Sequence, residues 1–248
     1  MSARSTRWNL VDDVDQARSG EDQMAADVAL LEAAARDGTR TLRLYTWAHP
    51  TLSLGRFQPD DDVDADACAR LGVPVVRRPS GGAGLMHGSD LTYAVAMPRP
   101  LGRDAGVNAS YALLARGLIA GLAQLGITAQ VARHGGPAGP VCFSGQQGAD
   151  LRVGERKICG SAQTRRDGAL LQHGSILLHR LDIDETDVMH TTRDRHALRR
   201  ATVTLQELGA PHDAPTVAAA VVEGFHRALD AEFDAAPTSE TRGIPAHH

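Results

Sequence analysis

One side chain stands out by its rarity. Of the 26 lysines and arginines in the 248-residue chain, 25 are arginine and a single one, Lys157, is lysine. A composition biased towards arginine accounts for most of that imbalance. Under such a bias, a retained lysine marks a place where a guanidinium does not serve. An ammonium is a compact charge on a thin stem; it donates to one oxygen in a tight pocket and changes protonation readily when buried. Lys157 opens the run Lys157-Ile158-Cys159-Gly160-Ser161-Ala162-Gln163. The three small residues Gly160, Ser161 and Ala162 leave room for an elongated ligand beside the strand. A short turn later comes Leu171-Gln172-His173-Gly174-Ser175-Ile176-Leu177. His173 taken alone also fits a hydrogen-bonded polar residue with no chemical duty.

A second stretch runs Arg77-Arg78-Pro79-Ser80-Gly81-Gly82-Ala83-Gly84-Leu85-Met86-His87-Gly88. Gly81, Gly82 and Gly84 allow positive φ and a close approach of backbone to a ligand. Their N–H groups can form a concavity for a phosphate or carboxylate, and the forked donors of Arg77 and Arg78 suit such anions. The stretch is neither a P-loop nor a dinucleotide fingerprint, since no Gly-Lys-Ser/Thr closes it and it leads into a strand. A tight turn flanked by surface arginines explains it equally. The third stretch, Val141-Cys142-Phe143, lies in the Gly- and Pro-rich segment 134–147. Thiol attack needs a lowered pKa or a neighbouring base, and Lys157, one hairpin away in sequence, is the available cation. A loop cysteine between apolar residues also fits an inert buried thiol. Cys159 shares the strand parity of Lys157 but sits among alternating apolar residues, and Cys68 falls in a helix without chemical companions.

Elements must hold these stretches together. Helical spacing of Met24, Val28 and Leu31 predicts a helix over 21–36, ended near Gly38. Strands are expected over 41–45, where Leu42 and Leu44 alternate with polar neighbours, and over 51–57, 75–78 and 91–97. Helices are expected over 61–71 and 108–125. Residues 149–153 and 157–163 read as two strands turning at Gly154-Glu155, followed by a strand over 170–178. A short helix over 181–188, a turn at 205–208 and a helix over 215–233, with Thr216 as its cap, complete the reading. The irregular alternation favours an α+β fold: a mixed, mainly antiparallel sheet flanked by helices.

Composition excludes several classes. With 42% hydrophobic and 23% charged residues, the chain can bury a core and stay dissolved. A net charge of −4 argues against a nucleic-acid stripe. No apolar run reaches the roughly 20 residues of a membrane span. Met1–Leu10 lacks the apolar region of a cleaved signal. Three cysteines at irregular spacing provide neither a disulfide framework nor a zinc site. The expectation is a cytoplasmic protein with free thiols.

At these same residues the chain resembles the lipoate–protein ligase and lipoyl/octanoyltransferase family, relatives of the biotin–protein ligases. The resemblance runs from Trp8 to Phe233 and is densest in Arg77–His87, Lys157–Gln163 and Gln172–Leu177. It implies one catalytic domain over residues 8–235, a flexible tail over 236–248, and an acyl chain held in a tunnel. Arg78, Ser80, Gly81, Gly82, Ala83, Gly84 and His87 match the stretch that wraps the acyl group and, in ligases, the adenylate phosphate. Lys157 matches the lysine that hydrogen-bonds the acyl carbonyl or the adenylate. Gly160, Ser161 and Ala162, with the strand of His173 and Gly174, match the tunnel wall. Val141-Cys142-Phe143 is most similar to an octanoyltransferase branch in which this cysteine takes the acyl group from acyl carrier protein as a thioester. The donor is then already activated and no cofactor is needed. Donors in the pocket would steady the oxyanion, and Lys157 would favour the thiolate.

Two departures keep a second donor open. The family carries Asp where this chain has Gly88, and the run after Cys142-Phe143 differs from that of the branch. Asp150 falls where ATP-using ligases place an acidic residue near the nucleotide, so a ligase making lipoyl-AMP from lipoate, ATP and Mg²⁺ would use Asp150 as a metal-associated carboxylate. That ligase would call for an accessory subunit, because no accessory domain follows in this sequence. A pocket that binds lipoate without turnover is a third possibility. The acceptor implied in both enzymatic cases is a lysine of a lipoyl-domain protein, such as a glycine cleavage H protein, with no nucleic acid or membrane involved.

Overall fold

The computed structural model describes residues 6–99, 106–132, 150–191 and 194–235. Cys142, the segment around it and the expected tail over 236–248 lie outside the described residues. Eleven strands form two sheets among the described residues. The larger contains β1 (Thr6–Arg18), β2 (Thr41–Trp47), β6 (Asp90–Pro98), β7 (Gln130–Val131), β8 (Leu151–Val153), β9 (Arg156–Arg166), β10 (Ala169–Leu177) and β11 (Ala231–Ala235). Their order is β11-β1-β2-β6-β10-β9-β8-β7. Only the β11/β1 and β1/β2 ladders are parallel, so the expected mixed, mainly antiparallel sheet is what forms. The smaller sheet joins β3 (Thr51–Leu54) to β4 (Val75–Arg77) in parallel and to β5 (Leu85–His87) antiparallel.

Helices cover both faces of the large sheet. On one face, α3 (Val107–Gln124) and α6 (Ala214–Leu229) pack on each other over Leu42, Leu44, Val95, Leu170 and Ile176. They cross so closely that a Cβ on Gly224 would lie 2.2 Å from the Gly121 nitrogen. On the other face, α1 (Gly20–Asp37) lies across β6 and β10. Ser19 caps its first turn by accepting from the Asp22 N–H, and Gly38 ends it in the left-handed region at φ 69°. Below α1, the sheet face mixes apolar and buried polar residues: Tyr45, Ala94 and Leu171 pack with Met24 and Leu31, while Arg43 on β2, between Leu42 and Leu44, is 1% exposed. The alternation that identified β2 as a strand marks two buried faces rather than one buried and one wet. No helix of the described residues is long and apolar enough to cross a membrane.

Several boundaries differ from expectation, for local reasons. The strand over 51–57 stops at Leu54, because Gly55 begins a turn held from outside by Arg77. The helix over 61–71 divides into a 3₁₀ turn, Asp60–Asp62, and α2 (Ala65–Leu71), with Asp64 capping the latter. In the region 181–188 only α4 (Glu185–Val188) is helical, while α5 (Arg195–Ala201) follows unannounced. Asp213, not Thr216, caps α6, accepting from the Thr216 N–H at 2.9 Å. The same helix ends at Leu229, where Asp230 turns left-handed at φ 50° and sends Ala231–Ala235 alongside β1. β1 itself carries Asp12, Asp13 and Asp15, which hide its period.

One buried carboxyl ties the C-terminal half to the smaller sheet. Glu185 on α4 accepts a hydrogen bond from the Met86 N–H of β5 at 2.9 Å. Burial pushes its carboxyl from 4.5 up to about 7, against the opposing effect of that hydrogen bond. Folding therefore favours the protonated group, and the stability this gives is fully present below about 4.5 and is lost as pH rises through about 7. Glu185→Gln retains an acceptor for Met86. It is expected to melt higher than the natural chain at pH 8, by roughly 2–4 °C for each kcal/mol gained, and to lose the advantage at pH 4.5. Circular dichroism follows both transitions; an equal gain at the two pH values would contradict this account.

Candidate functional site

Between α1, the facing side of β2, β6, β9 and β10, and the smaller sheet lies a narrow cleft whose free volume is about 30 Å³. Its walls come from distant parts of the chain. Met24 of α1, Tyr45 and Trp47 of β2 and Leu85 of β5 provide apolar surface, and Gly160, Ser161 and Ala162 provide a flat side. Ser53, Arg78, His87, Thr92, His173, Gly174 and Ser175 complete the lining. Gly174 is needed for closeness: a Cβ there would lie 2.2 Å from the Gly160 carbonyl oxygen and 2.7 Å from the Tyr93 ring. The Tyr93 hydroxyl instead pairs with Ser161 Oγ at 2.7 Å and accepts from Gln172 at 2.9 Å.

Two aspartate–histidine–serine chains hold the two histidines. His173 Nδ1 lies 2.8 Å from Asp27 Oδ2, and its Nε2 lies 2.6 Å from Ser80 Oγ. A carboxylate only accepts, so Nδ1 carries a hydrogen and, in the neutral ring, Nε2 accepts from Ser80. His87 repeats the pattern, with Nδ1 3.0 Å from Asp90 Oδ2 and Nε2 2.8 Å from Ser53 Oγ. Its ring stacks on Trp47 at 4.0 Å between centroids, and the Trp47 N–H donates to Thr92 Oγ1 at 2.8 Å. Burial pushes the Asp90 carboxyl up, but His87 and the bonds from His87, Ser175 and the Gly88 N–H outweigh it and hold the group below its ordinary range. Gly88 adopts φ 126°, and a Cβ would meet Pro50 at 3.1 Å. A side chain at position 88 would therefore be strained, and the carboxylate that His87 meets is that of Asp90.

Asp27 does more than orient His173. Arg43 donates to Asp27 Oδ1 at 3.0 Å and to Asp13 Oδ2 at 2.9 Å, and the Tyr45 hydroxyl donates to Asp27 Oδ2 at 3.1 Å. Burial, then the Asp27 charge, holds the Tyr45 hydroxyl protonated far above its usual range. None of Asp27, Asp90, Arg43 or Ser53 was expected at the site. For Asp27 a signal existed: it stands with Met24, Val28 and Leu31 on the apolar side of α1, where a charge requires a partner.

The glycine turn is gathered around two arginines. Arg78, buried, donates to the Ser53 carbonyl at 3.0 Å, to Ser53 Oγ at 3.2 Å, to the Gly81 carbonyl and to the Ala83 carbonyl at 2.7 Å. Arg77 donates to the Gly55 and Gln58 carbonyls and to Asp60. Both guanidiniums fasten the turn, and Arg78 also lines the cleft. Gly82, at φ 95°, lies against Arg78, and its carbonyl approaches Gly55 so closely that a Cβ on Gly55 would stand 1.9 Å away. Gly81 and Ala83 thus act through their carbonyls, and Gly84 leads into β5 as a buried residue.

Lys157 is buried at the start of β9, its amine 2.8 Å from Asp150 Oδ2, with side chains 2% and 3% exposed. The pair stands outside the cleft lining, although Gly160, three residues on, is part of it. Asp150, expected near a metal, is engaged by the lysine. No group of three or more His, Cys, Asp or Glu among the described residues could hold a metal ion. Cys159 is packed in the core, and burial, followed by the nearby Asp64, raises the Cys68 thiol, so neither is placed for attack. Asp27→Ala leaves Arg43 and His173 without their carboxylate in a buried site; a loss of about 3–5 kcal/mol in urea unfolding is expected, and a loss below about 1 kcal/mol would contradict the role given to Asp27.

A family profile described as the lipoyl protein ligase A/B catalytic domain matches residues 19–226. The octanoyltransferase LipM of Symbiobacterium thermophilum is 38% identical over 244 residues, covering 90% of this chain and 87% of that one. That of Carboxydothermus hydrogenoformans is 40% identical over 183 residues, covering 72% and 67%. Among solved structures, the Ta0514 protein of Thermoplasma acidophilum with bound lipoic acid superposes with a TM-score of 0.78 at 22% identity, over 95% of this chain and 91% of that one. A lipoate-protein ligase A bound with ATP gives 0.75 at 21%, over 95% and 90%. At these identities the two structures establish the fold.

Proposed function

This chain belongs to the family of lipoyl protein ligase A/B catalytic domains, and on that premise we propose that it is an octanoyltransferase that modifies a lysine of a lipoyl-domain protein. The observation that carries the reading is the narrow, largely apolar cleft between the two histidine chains, bounded by the strand that begins with the buried Lys157. An eight-carbon chain needs such a bore, and its reactive head needs a donor near the lysine end. The extensive similarity to octanoyltransferases supports this acyl group.

The donor we propose is an octanoyl thioester of acyl carrier protein, and the relay is Cys142, outside the described residues. Its thiolate attacks the thioester carbonyl, a C–S bond to Cys142 forms, the C–S bond to the carrier breaks, and the carrier leaves as a thiolate that takes up the proton Cys142 gave up. The neutral amine of the acceptor lysine then attacks the Cys142 thioester; the C–N bond forms, the C–S bond breaks, and Cys142 is restored as a thiol. Lys157 donates to the oxygen on which negative charge develops in both steps. No ATP or Mg²⁺ enters, since each acyl donor is already activated.

The purified protein is expected to octanoylate a lipoyl domain from octanoyl-acyl carrier protein without ATP. Cys142→Ala should lower the rate by about 10³-fold or more, the scale for removing a covalent nucleophile, as measured by mass spectrometry of the acceptor. Modification that requires lipoate, ATP and Mg²⁺ and is indifferent to Cys142→Ala would replace this reading with the ligase.

A further inference from the structure

The cleft as it stands is too tight for an acyl chain: its free volume of about 30 Å³ is room for about two waters. A chain must therefore displace a side chain to enter. Most of the lining is held in place. Tyr45 is bonded to Asp27, Trp47 to Thr92 while it stacks on His87, Arg78 to the carbonyls of its turn, and Ser161 to Tyr93. Met24 is the exception. Its side chain is unbranched, with three rotatable bonds, and adapts its shape to its surroundings. The helix beneath it is fixed, because Gln23 and Asp27 on either side both bond Arg43. What can move at this position is the side chain alone.

Met24 also stands at a boundary. On one side it lines the cleft; on the other it lines an open groove of about 470 Å³ between α1 and Arg77 and Pro79. Ala25, Val28 and Ala29 make that groove largely apolar. Among the described residues Met24 alone lines both spaces. It packs with Tyr45 and Trp47 of β2, and β6 and β10 separate β2 from β9 in the sheet. A chain whose head lies by β9 thus brings its tail towards Met24.

We propose that Met24 is a movable stop that sets the length of acyl chain the enzyme accepts. An eight-carbon chain enters by pushing the Met24 side chain towards the outer groove. That side chain then fills the passage between the two spaces, and a longer chain is refused because its tail has nowhere to go. Met24 is a specificity-determining residue that touches the tail of the substrate and takes no part in the bond changes at its head.

The inference rests on the octanoyl-transfer reading, and its test separates the two. Binding of octanoate and of dodecanoate to the natural chain and to Met24→Ala is measured by isothermal titration calorimetry. In parallel, transfer to a lipoyl domain from octanoyl- and from dodecanoyl-acyl carrier protein is followed by mass spectrometry. The natural chain is expected to prefer eight carbons. Each methylene fully buried contributes a factor of about four to affinity, and the outer groove buries the added ones only in part, so Met24→Ala should shift the ratio at least about tenfold towards dodecanoate. Val28→Trp, added to Met24→Ala, fills the groove from outside and should return the preference to octanoate; a general loosening of the cleft would not be reversed in this way. A folded Met24→Ala chain that keeps the natural ratio, a shift that Val28→Trp leaves in place, or a natural chain that prefers dodecanoate would overturn the proposal. Should Met24→Ala not fold, Met24→Val removes less packing and is read by the same ratio. If the binding ratio shifts while neither chain is transferred from the carrier, the stop stands and the functional reading falls. A natural chain that binds neither acid overturns both.

Discussion

The architecture of the cleft depends on one buried carboxylate. Asp27 receives Arg43, Tyr45 and His173 at once, from a helix lying over the sheet, and thereby fixes the spacing between α1, β2 and β10. A charge in that position is unfavourable unless compensated, and Arg43 supplies the compensation while dividing itself between Asp27 and Asp13. Because the hydrogen bonds are directional, the helix cannot slide without breaking several of them together. The apolar packing on the opposite face gives the sheet its stability; this polar layer gives the cleft its shape.

From Asp27 the constraint passes to the glycine turn. His173 bonds Ser80, and Ser80 begins the loop that Arg78 gathers round its guanidinium through carbonyl oxygens. The parallel chain through Asp90, His87 and Ser53 fixes the facing wall, with Trp47 stacked flat against the histidine. Ser53 joins the two systems, since it accepts from Arg78 and pairs with His87. The cleft is accordingly walled by side chains whose polar ends are taken up in hydrogen bonds, leaving largely apolar surface towards its interior. A rigid wall of that kind reads length and width rather than charge.

The reactive end is organised on a different principle. Lys157 and Asp150 form a buried pair at the bulged start of the β8–β9 hairpin, joined to the cleft by the run of small residues that follows. Binding and chemistry are thus adjacent but separately supported: the histidine chains belong to the helix-covered face of the sheet, and the ion pair belongs to its edge.

The sequence alone determined the features that depend on local rules or on composition. The long helices were legible from their apolar spacing, as were the strands of the central hairpins, the glycine turn, and Lys157 as an exception to an otherwise arginine-only chain. It concealed β1, whose aspartates break the apolar period, and β11, whose pairing with β1 spans the chain and leaves no local trace. Tertiary structure alone decided which charges meet. Asp27 and His173 are separated by 146 residues, and the carbonyls of Gly81 and Ala83 that Arg78 gathers round its guanidinium come within its reach only in the folded turn. Likewise Asp150 became the partner of Lys157 only when the β8–β9 hairpin folded back on itself. A residue's type states what chemistry it can perform; what it does is set by the neighbour that burial leaves it, and that neighbour is chosen by the fold.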